Sequence, residues 1–356
     1  SVVVSLFIGM MVSAEEIIKD RKILKREKFL NLSRGSYLFS KVMILFTLSA
    51  IQMIMFIAVG NSLLGIKGMY FDYWFVLFTT ACCANILGLN ISASFNSAIT
   101  VYILIPILLI PQLLLSGVIV PFDKLNPILT TPKNVPFAGE VMTSRWAFEA
   151  LAVNQFKNNN YEKQFYWHDK KMSVASFRKD YVISKLKQKI DKALANHQDP
   201  KLKEEVISDL AICKSEIAKE MTYTKKYKCN VVDKLEFNTF NEDVATQAAE
   251  YLNNVQQHYI RGYNNSSNEK DALVSKLTKK DGADKFLEMK NLYENESLSD
   301  LVKNANTLED KILESNGELI QRTEPIFLDP SADTFLRAHF YAPRKAIFGK
   351  YFDTYW

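Results

Sequence analysis

Apolar residues come in long unbroken runs in the first third of the chain and at helical intervals in the remainder. Val42 to Leu64 is an uncharged apolar run. A bilayer core of about 30 Å needs roughly 20 such residues in a helix, so this run predicts one membrane span. Tyr73 to Phe122 then continues without a charge. That is too long for one span and reads as two, near Tyr73 to Ala93 and near Ala98 to Ile119, with the turn at the polar Ser94-Phe95-Asn96-Ser97. Residues 1–14 are apolar but too short to cross at about 1.5 Å per residue. They read as the second half of a span cut by the start of the sequence.

Between the first two runs, residues 15–41 place Ile17, Ile18, Ile23, Leu24, Phe29, Leu30 and Leu32 at roughly helical spacing with charges between them. This pattern predicts an amphipathic helix at the membrane face. Residues 123–172 hold a proline-rich stretch with Pro121, Pro127, Pro132 and Pro136 around its start, followed by a helix over Thr143 to Phe156 lying at the interface. From residue 173 the three-four spacing recurs: Val174, Phe177, Tyr181, Val182, Leu186 and Ile190; Leu202, Val206, Leu210, Ala211, Ile217 and Met221; then Val244 to Ile260, Lys285 to Tyr293 and Leu298 to Leu319. The polar run from Gly262 to Asn268 reads as a turn. No strand alternation is sustained, so residues 173–334 are expected to form a mainly helical domain. Residues 335–356 are aromatic and basic and read as a return to the membrane interface. The fold class expected is all-α: a polytopic transmembrane bundle over 42–122, then a mainly helical external domain.

Composition sharpens this division. The mean hydropathy of −0.06 looks soluble, yet Lys67 and Asp72 are the only charges from Val42 to Phe122. The rest is charged at ordinary density, which excludes a single soluble globule. The net charge of +5 is too weak and diffuse to indicate nucleic acid. The loop 15–41 carries eight basic residues and four acidic ones, a net +4, and the positive-inside rule places it in the cytoplasm. Everything after about residue 121 is then extracytoplasmic, and the protein is expected in the cell inner (plasma) membrane.

Candidate chemistry is sparse. The four His form no zinc-binding spacing, and no GxSxG elbow or phosphate loop occurs. No catalytic residue, metal or cofactor is expected in this chain. Gln52, Asn85, Asn90 and Gln112 are polar residues within spans and read as interhelical hydrogen-bond partners. Pro106 and Pro111 bend the last span. Cys213 and Cys229 would close a short loop if bonded outside the cytoplasm, and remain two free thiols otherwise.

Three stretches carry a resemblance. Glu16-Ile17-Ile18-Lys19-Asp20-Arg21 with Arg26-Glu27 and Ser36 to Lys41, then Leu115-Ser116-Gly117-Val118-Ile119-Val120, then Arg145-Trp146-Ala147-Phe148-Glu149-Ala150-Leu151 with Asn154-Gln155-Phe156, resemble in order the loop after the second span, the end of the fifth span and the external segment of G-type (white-type) ATP-binding-cassette exporters. These are permeases of the ABC-2 type. On this resemblance the sequence is truncated at both ends, and a sixth span would follow Trp356.

The resemblance implies that residues 15–41 couple to an ATP-binding-cassette nucleotide-binding domain, in the same polypeptide or another chain, with Glu16, Asp20, Arg21, Arg26 and Glu27 near the contact. ATP and Mg would be bound in that partner. Val118 and Ile119 would form an apolar valve, with Ile110 and Leu113 facing the substrate cavity; the plain alternative is that Val118 and Ile119 face lipid. A second transmembrane half, as a homodimer, would complete the path for an apolar or amphipathic substrate. The alternative function is a membrane-anchored scaffold whose helical extracytoplasmic domain holds a partner.

Overall fold

The computed structural model describes residues 1–27, 33–122, 125–126, 133–305, 311–315, 317–330 and 335–355. Phe29, Leu30, Leu32, Pro127, Pro132 and Trp356, all named above, lie outside them. The described chain is mostly helical, as expected. It divides into two compact units: residues 1–160, 291–294 and 330–356 form the first, and 161–290 with 295–329 form the second.

The first unit is built on α1 (Val2–Ser13), α3 (Arg34–Leu63), α4 (Tyr70–Ser94) and α5 (Ala98–Leu114), with α2 (Glu16–Glu27) at one end. Two of these, α3 and α4, are long and apolar enough to cross a membrane. In α3 only 22% of the apolar window is buried, against 56% in α4. Met43, Ile44, Ile51, Ile54, Met55, Val59 and Leu63 are exposed along α3. A stripe of that size is unstable in water and matches a lipid-facing surface. The third expected span is shorter than its apolar run, because the helix of α5 ends at Leu114 and residues 115–120 are irregular.

Small residues set the helix spacing. Gly9 of α1 leaves no room for a side chain: a Cβ there would lie 2.7 Å from the Ala81 carbonyl oxygen and 2.8 Å from Ala84 Cβ. Gly88 approaches Met10 and Ser13 as closely. With little hydrophobic drive between helices in lipid, such close backbone approach supplies the packing. Asn85 donates to Ser49 Oγ (2.8 Å) and to the Leu45 carbonyl (3.4 Å), joining α4 to α3.

At the opposite end from α2, α6 (Phe137–Glu140) and α7 (Thr143–Asn158) pack against the bundle. Thr143 Oγ1 is 3.4 Å from Cys83 Sγ, and the Tyr73 hydroxyl donates to Gln155 (2.6 Å). Helix α7 therefore lies along α4 from Cys83 to Tyr73, a stretch of about 15 Å. Ser144 fastens it to α5 by donating from its N–H to Gln112 Oε1 (3.1 Å) and from its hydroxyl to the Gln112 carbonyl (2.5 Å).

The second unit centres on α8 (Tyr166–Phe177), α9 (Ile183–Asn196), α10 (Lys203–Tyr223) and α11 (Glu242–Asp281), followed by α12 (Ala283–Tyr293), of which the residues from 291 belong to the first unit, and α13 (Glu296–Lys303). Its core holds Phe177, Leu186, Ile190, Val206, Leu210 and Ile217, six of the positions named by the three-four spacing, with Val244, Leu252 and Val255 from the run Val244 to Ile260. Two expectations change. The run Gly262 to Asn268 is helical, inside α11. Packing supplies what propensity lacks there: Ser266 is buried and Lys270 pairs with Asp169 of α8 at 2.5 Å. Residues 312–321 are also not helix but an antiparallel hairpin of β1 (Ile312–Ser315) and β2 (Glu318–Gln321), turning through Gly317 at φ +76°. A second hairpin, β3 (Arg344–Ile347) with β4 (Lys350–Asp353), belongs to the first unit.

Candidate functional site

The expected coupling residues gather where α2 meets the ends of three apolar helices, α3, α4 and α5. Ser92, near the end of α4, accepts from the N–H groups of Ile17 (3.0 Å) and Ile18 (3.2 Å) with its hydroxyl. It satisfies donors that the first turn of a helix leaves unpaired. Arg21 donates to the carbonyls of Ala93 (2.7 Å) and Ser92 (3.4 Å). A cation there also meets the negative end of the α4 dipole. Lys41 of α3 bridges Glu16 and Asp20, each at 2.8 Å, and the Tyr37 hydroxyl donates to Asp20 (2.9 Å). Lys41 and Tyr37 hold the Asp20 carboxyl below its usual range, the hydrogen bond from Lys41 being the larger cause. Tyr102 of α5 bonds Glu15, which also pairs with Lys19 at 2.7 Å.

Glu16, Asp20 and Arg21 thus face the spans. Arg26 is exposed, with Lys19, Lys22, Ile23 and Lys25, on the outward face of α2. The side chain of Glu27 lies outside the described residues. Sequence reasoning named the three acidic and basic anchors but missed Ser92 and Tyr102. A hydroxyl at a helix end and a tyrosine five residues into a span carry no signal until the turn brings them beside α2.

The apolar candidates lie at the other end of α5. Val118 and Ile119 are exposed in the irregular segment after Leu115, Ile110 is exposed on α5, and Leu113 is half-buried. Gly117, at φ +78°, is the pivot of that segment; a Cβ there would sit 2.4 Å from the Phe122 ring. An apolar cleft of about 460 Å³ lies between α3 and α4, lined by Ile54, Ile57, Ala58, Tyr70, Phe71 and Trp74. None of Ile110, Leu113, Val118 and Ile119 is among the residues that line it.

The Arg145 to Leu151 motif forms a buried ionic network. Arg145 pairs with Glu140 (3.0 Å) and Glu149 (2.9 Å), and Lys345 of β3 reaches Glu149 (2.9 Å). Arg145 and Glu149 are fully buried and Lys345 nearly so. The guanidinium stacks on Trp146, 4.1 Å from the ring centroid. Two cations and two carboxylates balance, as burial demands. Lys157 pairs with Asp353 of β4 as a further tie. Lys345 was the partner that spacing could not supply, since 196 residues separate it from Glu149.

Cys213 and Cys229 are free thiols within the second unit's core, so the disulfide allowed by the sequence is not formed. Both pack among aliphatic side chains, and burial pushes the Cys213 thiol up to about 12. No metal-ligating cluster occurs among the described residues.

No curated protein and no solved structure matches the chain significantly. The sequence model of one family, described as ABC-2 type transporter, matches residues 1–156; this stretch is therefore similar to ABC-2 type membrane domains, which work with an ATP-binding-cassette partner, and the match supports a membrane transport permease.

Proposed function

We propose that the chain is the membrane-spanning subunit of a G-type (white-type) ATP-driven exporter, moving apolar or amphipathic substrates out of the cytoplasm. It works as a homodimer in the plasma membrane, with α2 in the cytoplasm and the residues after about 121 outside. ATP and Mg bound in the nucleotide-binding partner supply the energy.

The observation that carries this reading is the attachment of α2. A helix held to α4 through Ser92 and Arg21, to α3 through Lys41 and to α5 through Tyr102 cannot be displaced without moving three spans. Its outward face leaves Lys19, Lys22, Ile23, Lys25 and Arg26 exposed, available to a partner that pushes it. Tilting α5 moves Val118 and Ile119, which with the same residues of a second copy form a greasy constriction that closes by excluding water. Ile110 and Leu113 line the cavity beneath it.

The test uses the complete transporter, with its nucleotide-binding domain, in proteoliposomes. Vanadate-sensitive ATP hydrolysis stimulated by apolar compounds is expected. Lys41→Glu is expected to leave basal hydrolysis and abolish at least nine-tenths of the stimulation, while Val118→Asp lowers cargo flux alone. Labelling of α2 by an impermeant reagent from outside intact cells would refute the reading. A protein without coupled hydrolysis would instead match the membrane-anchored scaffold.

A further inference from the structure

The β3–β4 hairpin breaks two local rules at one residue. Its two-residue turn is Phe348-Gly349, with φ of +48° and +76°. Turns of this handedness take Asn-Gly or Asp-Gly, because an L residue with a bulky side chain is strained there. The Phe348 side chain is also 90% exposed. Among the described residues its ring pairs with that of Phe335, itself exposed, at 5.4 Å. Beside them on β4, Lys350, Tyr351 and Phe352 are exposed as well. A residue that costs both backbone strain and exposed apolar area marks a surface that something covers.

The anchoring of the hairpin says what that is. Its base is fixed to α7 by Lys345–Glu149 and Lys157–Asp353. The Tyr355 hydroxyl hydrogen-bonds Asp72, in the first turn of α4. Just before β3, Phe340 stacks edge-on against Phe122, and the Val135 N–H donates to the Ala338 carbonyl. Both flanks are therefore fastened where α4 begins and where the chain leaves α5, at one boundary of the apolar bundle. Exposed aromatic rings with a neighbouring lysine, held at that level, have the composition of a membrane-interface anchor.

We infer that the Phe348 tip, with Phe335, inserts into the headgroup and acyl boundary of the leaflet opposite α2. The hairpin is then a lipid-seated brace that holds Lys345 against Glu149. This rests on reading α3 to α5 as membrane spans.

The experiment places an environment-sensitive fluorophore at Phe348→Cys, and separately at Met55→Cys on the exposed face of α3. The full chain is reconstituted in phosphatidylcholine vesicles containing doxyl-labelled phosphatidylcholine. Wild type, whose cysteines are buried or half-buried, gives the labelling background. Both probes are expected to lose at least half their emission to lipid-borne doxyl and to be shielded from aqueous iodide. A doxyl-quenched Met55 probe with an iodide-quenched Phe348 probe overturns the inference and leaves the membrane reading intact. A Phe348 probe shielded from both quenchers overturns it in favour of a second copy of the chain. Absence of doxyl quenching at Met55 overturns both. A second variant separates anchor from turn. Phe348→Asn suits the turn and is expected to fold at least as well, yet to cut doxyl quenching of a probe at Lys350→Cys at least twofold. Unchanged quenching would sink the anchor.

Discussion

Both ends of the first unit are held by ion pairs, but the two sets differ in burial. At the α2 end, the side chains of Lys41, Glu16 and Asp20 keep a fifth to a third of their surface exposed. At the α7 end, Arg145 and Glu149 have none and Lys345 has almost none. Water can replace a partner in the first set and cannot in the second. The first is thus suited to a joint that bends under load, and the second to one that fixes a shape.

The largest effect is expected in the buried network. Glu149→Met leaves Arg145 and Lys345 without their shared carboxylate, and an uncompensated buried charge costs about 3–5 kcal/mol. Thermal unfolding in detergent should show the loss, and a second change, Lys345→Met, should recover part of it by removing one orphaned cation. Additive losses would mean that the network is not one unit.

Next in size comes the bundle between the two ends. Gly9→Leu forces a side chain into the Ala81 carbonyl and Ala84 and should cost about 1–3 kcal/mol by overpacking. Gly60, with nothing near its missing side chain, is the control: Gly60→Ala should be neutral or stabilising. Equal effects would deny that α1 and α4 are spaced by their small residues.

At the α2 end, Lys41→Met should change unfolding by less than about 1 kcal/mol, the range of partly exposed pairs. Its effect on stimulated ATP hydrolysis should be far larger than that stability loss. A variant as destabilised as Glu149→Met would erase the contrast between joint and clamp.

The two ends were also unequally legible in the sequence. The spans follow from uncharged runs, and the charged face of α2 from its spacing. Their limits moved because Arg34 to Lys41 extends α3 beyond the apolar run and Leu115 ends α5 before its own run stops. At the α7 end the helix from Thr143 was legible, but its partners were not. Glu149 and Lys345 are brought together only by the fold, and four-residue strands such as β3 and β4 are too short for alternation to register. Within the second unit, the helix through Gly262 contradicts local preference and is held by Lys270 and Asp169. In each case a contact distant in sequence decided the outcome.

The smallest effect expected is a pH response confined to the α2 end. Asp20 has its carboxyl pKa lowered by Lys41 and then by Tyr37. A carboxylate with a depressed folded-state pKa stabilises above its unfolded value, about 3.9, and loses that contribution as pH falls through the folded value. The protection of α2 amides, their exchange measured relative to the intrinsic rate at each pH, should therefore be steady from neutrality to about pH 5 and fall below about pH 4. Asp20→Asn should remove the change, because an amide cannot be protonated in that range and keeps only a neutral bond to Tyr37. Protection that falls equally in the variant would place the titrating group elsewhere, and the joint at α2 would then not depend on the Lys41 bridge.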